Sequence, residues 1–393
     1  MEKNKSFLTL PVALISLSHL AVDLGQGALP VLLPFMKELF NLTYTQVGIV
    51  VMVQNFTSSV IQPLFGYFID KLYLPWLLPV SIAIAAVGMA FTGFAPSYYG
   101  LLFIIVIAGF GSASFHPQGA VVMNHVSDKE TRGRSMGLFS VGGNLGFAVG
   151  SVFMVLLLSK IEGGVANTIY FAIPGILVAL LVWLNLSRMM PEAMKKTETK
   201  ELEEKKSAIP WFYLTVLLVF IFVRSTIHSS LQTYIPLYYI HNLKQDPIYA
   251  SYLVSLFLFG GALGTFIGAS ISDKLGRKAV IIASMIISLP LLLVFPHITG
   301  QLALIVIFMA GGALVASFST SLVLAQEMMP GHIGVASGLT VGFSLGLGGI
   351  GTTLMGMVAD RFDLSTVLFI LGVLPVLGIL LALKLPSQRE IYK

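Results

Sequence analysis

The sequence predicts an all-α membrane protein in which twelve transmembrane helices form two pseudo-symmetric six-helix bundles. Three observations carry this prediction. The chain of 393 residues is 56% hydrophobic and only 10% charged. Twelve of its segments are apolar over the length that a helix needs to cross a bilayer. Landmarks of the first half also recur, in the same order, in the second half.

The composition excludes several classes of protein. Soluble domains carry about 25% charged residues, and the mean hydropathy here is +0.89. The net charge of +5 comes from basic residues in short loops, which indicates orientation in a membrane rather than nucleic-acid binding. The chain has no cysteine, so disulfides and cysteine-bound metals are excluded. The first apolar segment lacks a small-residue cleavage site, and we expect it to remain as a helix.

The predicted spans are separated by short connections rich in Gly, Pro, Asp or Asn. Each span is close to the ~20 residues that cover about 30 Å of hydrocarbon, and none alternates as a membrane β-strand does. The spans are 9–37, 44–70, 75–94, 98–124, 134–159, 166–189, 209–239, 247–272, 278–296, 300–328, 333–359 and 364–385.

One long polar segment divides the chain. Residues 190–208 contain both signs of charge and few apolar side chains, so we interpret them as a solvated cytoplasmic linker. The predicted domains are therefore an N-terminal six-helix bundle (1–189), the linker (190–208) and a C-terminal six-helix bundle (209–393).

Lysine and arginine are distributed unequally between the two sides of the predicted membrane segment. Eighteen of the 23 fall on the side that holds both termini and the linker, four fall on the other side, and Arg224 lies within a span. Because basic loops stay on the cytoplasmic side, this distribution predicts a cytoplasmic (inner) membrane protein with both termini in the cytoplasm.

The two halves repeat at a nearly constant offset. The matching pairs are 65–72 with 269–278 (where Asp70 matches Asp273), 114–118 with 317–321, 137–150 with 338–351 and 32–35 with 234–237; the aligned residues are offset by 201 to 203. Such duplication is typical of carriers in which two bundles rock about a site near the middle of the membrane. It favours a transporter over a channel, a receptor or an enzyme.

Three stretches carry a resemblance to a known family. The loop DKLGRK (273–278) resembles the loop signature of the major facilitator superfamily. GFGSASFHPQGA (109–120) and RGRSMGLFSVGGNLGFAVG (132–150) are similar to the fosmidomycin resistance protein group, which is described as proton-driven drug exporters. The superfamily resemblance covers the whole chain.

The resemblance implies that spans 1, 4, 7 and 10 line a central cavity and that spans 2, 5, 8 and 11 form the interfaces between bundles. Two departures leave the direction of transport open. The first loop, DKLYLP, lacks the Gly-Arg-Lys ending. Span five has Gly142, Gly146 and Gly150 but not the Gly-Pro pair of the antiporter signature.

Ionisable residues inside span one are the main functional candidates. A charge near the bilayer centre costs about 2.5–3.5 kcal/mol on insertion scales, so Asp23 must face a cavity or a partner. His19 precedes it by four residues and shares its helix face, and Gln26 follows by three. We predict that Asp23 is a proton-coupling residue with His19 or His116 as its partner. The alternative is a fixed Asp–His pair that holds spans together.

Span four and span seven supply further candidates for substrate binding. His116 is followed by Pro117, which frees a backbone carbonyl, and it is flanked by Phe115 and Gln118. Arg224 cannot usefully deprotonate and needs an anion; ion pairing with Asp23 and direct binding of an anionic substrate are both open. The substrate-binding candidates are Gln26, Phe115, Gln118, Arg224, His228, Gln232 and Phe318.

Charged residues at the predicted cytoplasmic ends are interpreted as gating residues. Glu327 is expected to pair with Arg277 or Lys278 in a cluster with Asp273 that steadies one closed state. Asp70 and its repeat counterpart Asp273 are also expected to cap the N-termini of helices across the bundle interface.

The sequence lacks a GxxxxGK[ST] loop and metal-ligand spacing, so we predict no ATP use, cofactor, metal or enzymatic activity. The expected partners are protons, a small molecule and lipid, without nucleic acid, for a monomer. The predicted function is a proton-coupled secondary transporter that exports small drug-like or amphipathic compounds by proton antiport. The alternatives are an uptake symporter for a small organic anion, a membrane-embedded enzyme that uses Asp23 and His116, and a transporter-like sensor.

Overall fold

The structure is a computed structural model that describes residues 8–128, 131–190, 210–329, 335–336, 339–340, 343–387 and 390. Helices account for nearly all of these residues, and no strand occurs among them. The all-α fold class is therefore confirmed.

Eight principal helices precede the predicted linker and seven follow it. Those of the first part are α1 (Leu10–Phe40), α2 (Tyr44–Asn55), α3 (Gln62–Lys71), α4 (Leu77–Phe91), α5 (Tyr98–Val126), α6 (Arg132–Lys160), α7 (Ala172–Leu184) and α8 (Leu186–Met189). Those of the second part are α9 (Trp211–Leu237), α10 (Pro247–Leu275), α11 (Arg277–Val294), α12 (Gly300–Val315), α13 (Ser317–Met328), α14 (Phe343–Arg361) and α15 (Leu364–Leu383).

Eleven helical segments of the described chain are long and apolar enough to cross a membrane. At 1.5 Å per residue, the 31 residues of α1 extend about 46 Å, which exceeds the hydrocarbon thickness. The predicted span 333–359 begins among residues outside the described ranges and continues as α14. The predicted linker also lies outside them, apart from Met190.

Contacts group the chain into two compact units. The first unit contains Met1–Leu29 and Phe56–Lys200, and the second contains Pro30–Asn55 and Glu201–Lys393. The C-terminal third of α1, from Pro30 onward, and all of α2 thus group with the C-terminal helices, which the internal repeat alone does not indicate. The division at residues 190–208 stays a prediction.

Glycines let helix backbones touch within the first unit. A Cβ on Gly142, Gly146 or Gly150 of α6 would lie 2.1 to 2.4 Å from a carbonyl oxygen of α1. Such contact is closer than any side chain allows, so these glycines permit the α1–α6 approach. The approach brings the backbone of α6 against the face of α1 that carries Asp23.

Close backbone contact also joins α2 to α14 within the second unit. A Cβ on Gly48 would lie 2.7 Å from the Cα of Thr353, and one on Gly349 would lie 2.6 Å from the Cα of Met52. At the end of this contact, Asp360 accepts hydrogen bonds from the backbone amides of Tyr44 and Thr45.

Candidate functional site

Asp23 is buried in the first unit, with only 3% of its surface exposed. It lies on one face of α1 with His19, one turn before it, and Gln26, one turn after it. His19 Nε2 is 3.1 Å from Asp23 Oδ2, and Gln26 Nε2 donates to Asp23 Oδ1 at 3.0 Å. A helix with this spacing places all three polar tips together.

Helix α5 supplies the second histidine of this group. His116 Nε2 lies 3.4 Å from Asp23 Oδ1 and 3.1 Å from Ser112 Oγ. Gln26 Nε2 also donates to Ser112 Oγ at 2.9 Å. The structure therefore brings together His19, Asp23, Gln26, Ser112 and His116, which we call the Asp23 cluster. Ser112 was not predicted from the sequence.

The backbone of α6 fixes how His19 shares its protons. His19 Nδ1 lies 2.8 Å from the carbonyl oxygen of Phe139. That oxygen can only accept, so Nδ1 must donate and carries a proton. In a neutral ring Nε2 then has only a lone pair, and it faces the Asp23 carboxylate. A further proton must lie on either His19 or Asp23, because two lone pairs at 3.1 Å repel.

Aromatic rings and a glycine enclose the cluster on the α6 side. The rings of His19 and Phe139 stack with centroids 4.1 Å apart. A Cβ on Gly143 would lie 2.6 Å from His19 Nε2 and 2.7 Å from Asp23 Oδ2. Only glycine at this position leaves room for the His19–Asp23 contact.

The three titratable groups are also close enough to be considered for a metal ion. One donor atom from each of His19, Asp23 and His116 lies within 4.8 Å of the others. Hydrogen bonds with Gln26, Ser112 and Phe139, together with a shared proton, satisfy these atoms without an ion. We keep the expectation of a proton site.

Two predicted substrate-binding residues of α5 are not members of the Asp23 cluster. Gln118 is fully buried, and its Nε2 donates to the carbonyl of Leu74 at 2.8 Å and contacts Met190 Sδ at 3.7 Å. Phe115 is also fully buried and packs in the hydrophobic core, with its ring centroid 5.9 Å from that of His19. In this structure Gln118 holds the connection between α3 and α4 through Leu74. Phe115 packs against His19 of the Asp23 cluster.

Arg224 is the buried cation of the second unit, with 4% of its surface exposed. Its Nη2 donates to Ser344 Oγ at 2.9 Å, and Ser344 Oγ lies 2.6 Å from Ser225 Oγ. Its guanidinium carbon lies 4.9 Å from the centroid of the Phe318 ring. Nη1 is buried without a hydrogen-bond partner. Pairing with Asp23 would join the two units and stays a prediction.

The remaining polar candidates of α9 pair with each other. Gln232 Nε2 lies 3.0 Å from His228 Nδ1, and the His228 ring lies 5.3 Å from that of Phe257. Both side chains are half-buried. They follow Arg224 along one face of the helix, as the four-residue spacing predicts.

Three of the four gating candidates meet at the junction of α10 and α11. Arg277 Nη1 lies 2.5 Å from Asp273 Oδ1, and Arg277 Nε lies 3.3 Å from Glu327 Oε1. The expected partner of Glu327 is thus present, while the gating role stays a prediction. The backbone of Asp70 lies in the last turn of α3, but its side chain lies outside the described residues.

Sequence reasoning missed Asp360. Its carboxylate accepts from the amide of Tyr44 at 2.7 Å and from the amide and hydroxyl of Thr45 at 2.8 and 2.6 Å. Its position beside a loop, next to Arg361, gave no signal of a contact more than 300 residues away.

Comparisons with known proteins agree with this architecture. The sequence model of the Major Facilitator Superfamily matches residues 15–350 and 218–391. The chain is 32% identical to the fosmidomycin resistance protein of Escherichia coli (strain K12), covering 96% of this chain and 92% of that protein. It is 33% identical to the uncharacterized MFS-type transporter YfnC of Bacillus subtilis (strain 168), covering 96% and 93%.

A solved structure shows the same fold. It is a bacterial homolog of the human lysosomal transporter Spinster, in an inward-facing and occupied conformation, with a TM-score of 0.81, 16% identity and 97% of each chain covered. The membrane-length helices, the repeat and these matches agree: the chain is a multi-pass membrane protein that belongs to the Major Facilitator Superfamily.

Proposed function

We propose that this transporter is proton-coupled, works by alternating access, and exports small drug-like or amphipathic compounds by proton antiport. The observation that carries the proposal is the Asp23 cluster, in which a buried carboxylate contacts two histidines and His19 needs a shared proton. Membership of a transporter superfamily supplies the carrier framework.

Proton occupancy of the cluster is linked to helix packing. With a proton on His19 or His116, an imidazolium faces the Asp23 carboxylate and holds α1 to α5 and α6. Without it, the lone pair of His19 Nε2 faces the Asp23 carboxylate in a poorly solvated site, and their repulsion favours separation. Loading and release of a proton would therefore shift the equilibrium between two packings of these helices, as coupling requires.

Export is favoured by similarity to a protein named for fosmidomycin resistance. The second candidate function is uptake of a small organic anion by proton symport. The buried Arg224, whose Nη1 has no partner, favours this candidate. A membrane-embedded enzyme and a transporter-like sensor would show, respectively, turnover without translocation and binding without flux.

Flux measurements in proteoliposomes test the proposal. Purified protein is reconstituted, an inward or outward pH gradient is imposed, and uptake of labelled fosmidomycin or of a compound found by thermal-shift screening is followed. Antiport and symport predict opposite directions of gradient-driven flux. We expect Asp23→Asn to abolish the gradient-driven component, because the amide cannot exchange a proton at this position.

The control is Asp246→Asn, at the exposed N-cap of α10, where an asparagine also caps well. This variant should retain gradient-driven flux. Undiminished gradient-driven flux in Asp23→Asn would contradict proton coupling at Asp23.

A further inference from the structure

Arg224 is a buried cation on α9 of the second unit. No carboxylate among the described residues of the second unit forms an ion pair with it. Its polar contact is the neutral hydroxyl of Ser344, and its guanidinium lies over the Phe318 ring. An uncompensated charge in a membrane interior is expensive to maintain, and such residues mark the path of a substrate or an ion.

One terminal nitrogen of the guanidinium makes a hydrogen bond and the other does not. Nη2 donates to Ser344 Oγ, and the Ser344–Ser225 hydroxyl pair holds that acceptor in place. Nη1 is buried and makes no hydrogen bond. A buried donor left unsatisfied costs about 1–3 kcal/mol, more when it is charged. Binding of an anionic oxygen at Nη1 would remove this cost.

The internal repeat shows that Arg224 occupies the counterpart of the Asp23 cluster. Ser344 aligns with Gly143, which contacts His19 and Asp23, and Phe318 aligns with Phe115, which lies behind that cluster. Arg224 itself aligns with the residue before Asp23. The same scaffold therefore carries an anionic centre in one unit and a cationic centre in the other.

We propose that Arg224 binds the anionic group of the transported compound, a carboxylate or a phosphonate-type oxygen, at Nη1. Ser344 is the positioning residue that orients the guanidinium. The cargo is then a small organic acid, and the protein handles the proton and the anion on equivalent surfaces of its two repeats. This assignment of substrate class rests on the proposed transport function, whereas anion binding itself does not.

Binding measurements on the purified protein in detergent, with no membrane gradient, test the site. The probes are matched pairs of the same shape, acetate with acetamide and benzoate with benzamide, together with methylphosphonate. Thermal unfolding should shift upward with the anions and not with the amides, because a site built for charge rejects the neutral analogue. Arg224→Gln should abolish the response, and Lys244→Gln, an exposed basic residue of the same unit, should retain it.

A second readout separates a binding role from a structural one. Without ligand, Arg224→Gln should unfold at a temperature no lower than the wild type, because the change removes a buried charge that has no ion pair among the described residues of its unit. Ser344→Ala keeps the cation but frees Nη2, so it should weaken anion binding about fivefold.

Three results would overturn the proposal: no response of the wild type to any anion, an equal response in Arg224→Gln, or clear destabilisation of unliganded Arg224→Gln. If the anion-binding measurements give one of these results while gradient-driven flux still depends on Asp23, only the assignment of the substrate class is refuted. Loss of proton coupling with anion binding intact removes only the proposed coupling.

Discussion

His19 contacts three helices through its two ring nitrogens and its ring face. Nδ1 donates to the Phe139 carbonyl of α6, and Nε2 faces Asp23 on its own helix α1. Its ring also lies 5.2 Å from that of His116 on α5. A change in the protonation of Nε2 therefore alters an interaction at the point where α1, α5 and α6 meet.

Gly143 tests the dependence of coupling on this geometry. We expect Gly143→Ala to displace His19 or Asp23, since the new Cβ would lie under 3 Å from both side chains, and to reduce gradient-driven flux severely. Overpacking of this kind costs about 1–3 kcal/mol, which thermal unfolding would report.

Gly137→Ala is the matched control on the same helix, because a Cβ there meets nothing within 4 Å. It should leave both flux and unfolding temperature nearly unchanged. Equal flux in the two variants would show that the Asp23 cluster tolerates displacement and is not the coupling centre.

The sequence predicts half of this site. Helix periodicity places His19, Asp23 and Gln26 on one face, and the rarity of charge in a span singles out Asp23. The Phe139 carbonyl could not be predicted, because its position depends on backbone contact at Gly142 and its neighbours. Gln118 lies two positions from His116, which turns it about 200° around the helix, and only packing shows which face meets the cluster.

At the scale of helices, the N-terminus of α2 is the most fully capped end described. Thr43 and Gln46 form a reciprocal capping box, with distances of 2.9 and 3.1 Å. Asp360 satisfies the next two amides, those of Tyr44 and Thr45. All four amides that this helix start leaves without intrahelical partners therefore have acceptors, two of them from a distant helix.

Replacing this distant cap should loosen α2. Asp360→Ala is expected to destabilise the protein by about 1–2 kcal/mol and to speed hydrogen exchange at the amides of Tyr44 and Thr45. Thermal unfolding in detergent and exchange mass spectrometry would measure both effects.

Asp363→Ala is the control, since Asp363 caps α15 locally through the amide of Thr366 at 2.6 Å. That amide holds the pKa of Asp363 below its usual range. The stabilisation from this cap is therefore complete above the pKa that Asp363 has in the unfolded state. It is lost as pH falls through the lower pKa that Asp363 has in the folded state. This variant should speed exchange at Thr366 only. Unchanged exchange at Tyr44 in Asp360→Ala would refute the distant cap.

The helices themselves were predictable because each apolar run is long and bounded by loop residues. The pairing of α2 with α14 did not follow from the apolar pattern, because glycine contacts such as Gly48 with Thr353 leave no hydrophobic pattern; the family resemblance only put both spans among the interface helices. Most of the Gly-rich start of predicted span 333–359 lies outside the described residues, so its first turns remain a prediction.

At the scale of the whole molecule, the uneven distribution of lysine and arginine predicts which loops face the cytoplasm. The absence of cysteine makes the chain a ready background for labelling. In intact cells, a membrane-impermeant maleimide should modify Glu162→Cys, in the loop after α6, and should not modify Asp128→Cys, in the loop before it.

Both positions are exposed, so the difference reports sidedness rather than burial. Permeabilised cells provide the control, in which both cysteines should react. If only Asp128→Cys is labelled in intact cells, the orientation is the opposite of the predicted one.

The packing of α2 against α14 also has a consequence for folding during synthesis. Tyr44 leaves the ribosome 316 residues before Asp360, a delay of roughly 15–60 s at ordinary translation rates. During that interval the face of α2 around Gly48 lacks the α14 backbone that it contacts in the folded protein. The order in which the helices are synthesised therefore differs from the order in which they pack. A fragment that stops after residue 200 would contain α2 without the helix that it packs against.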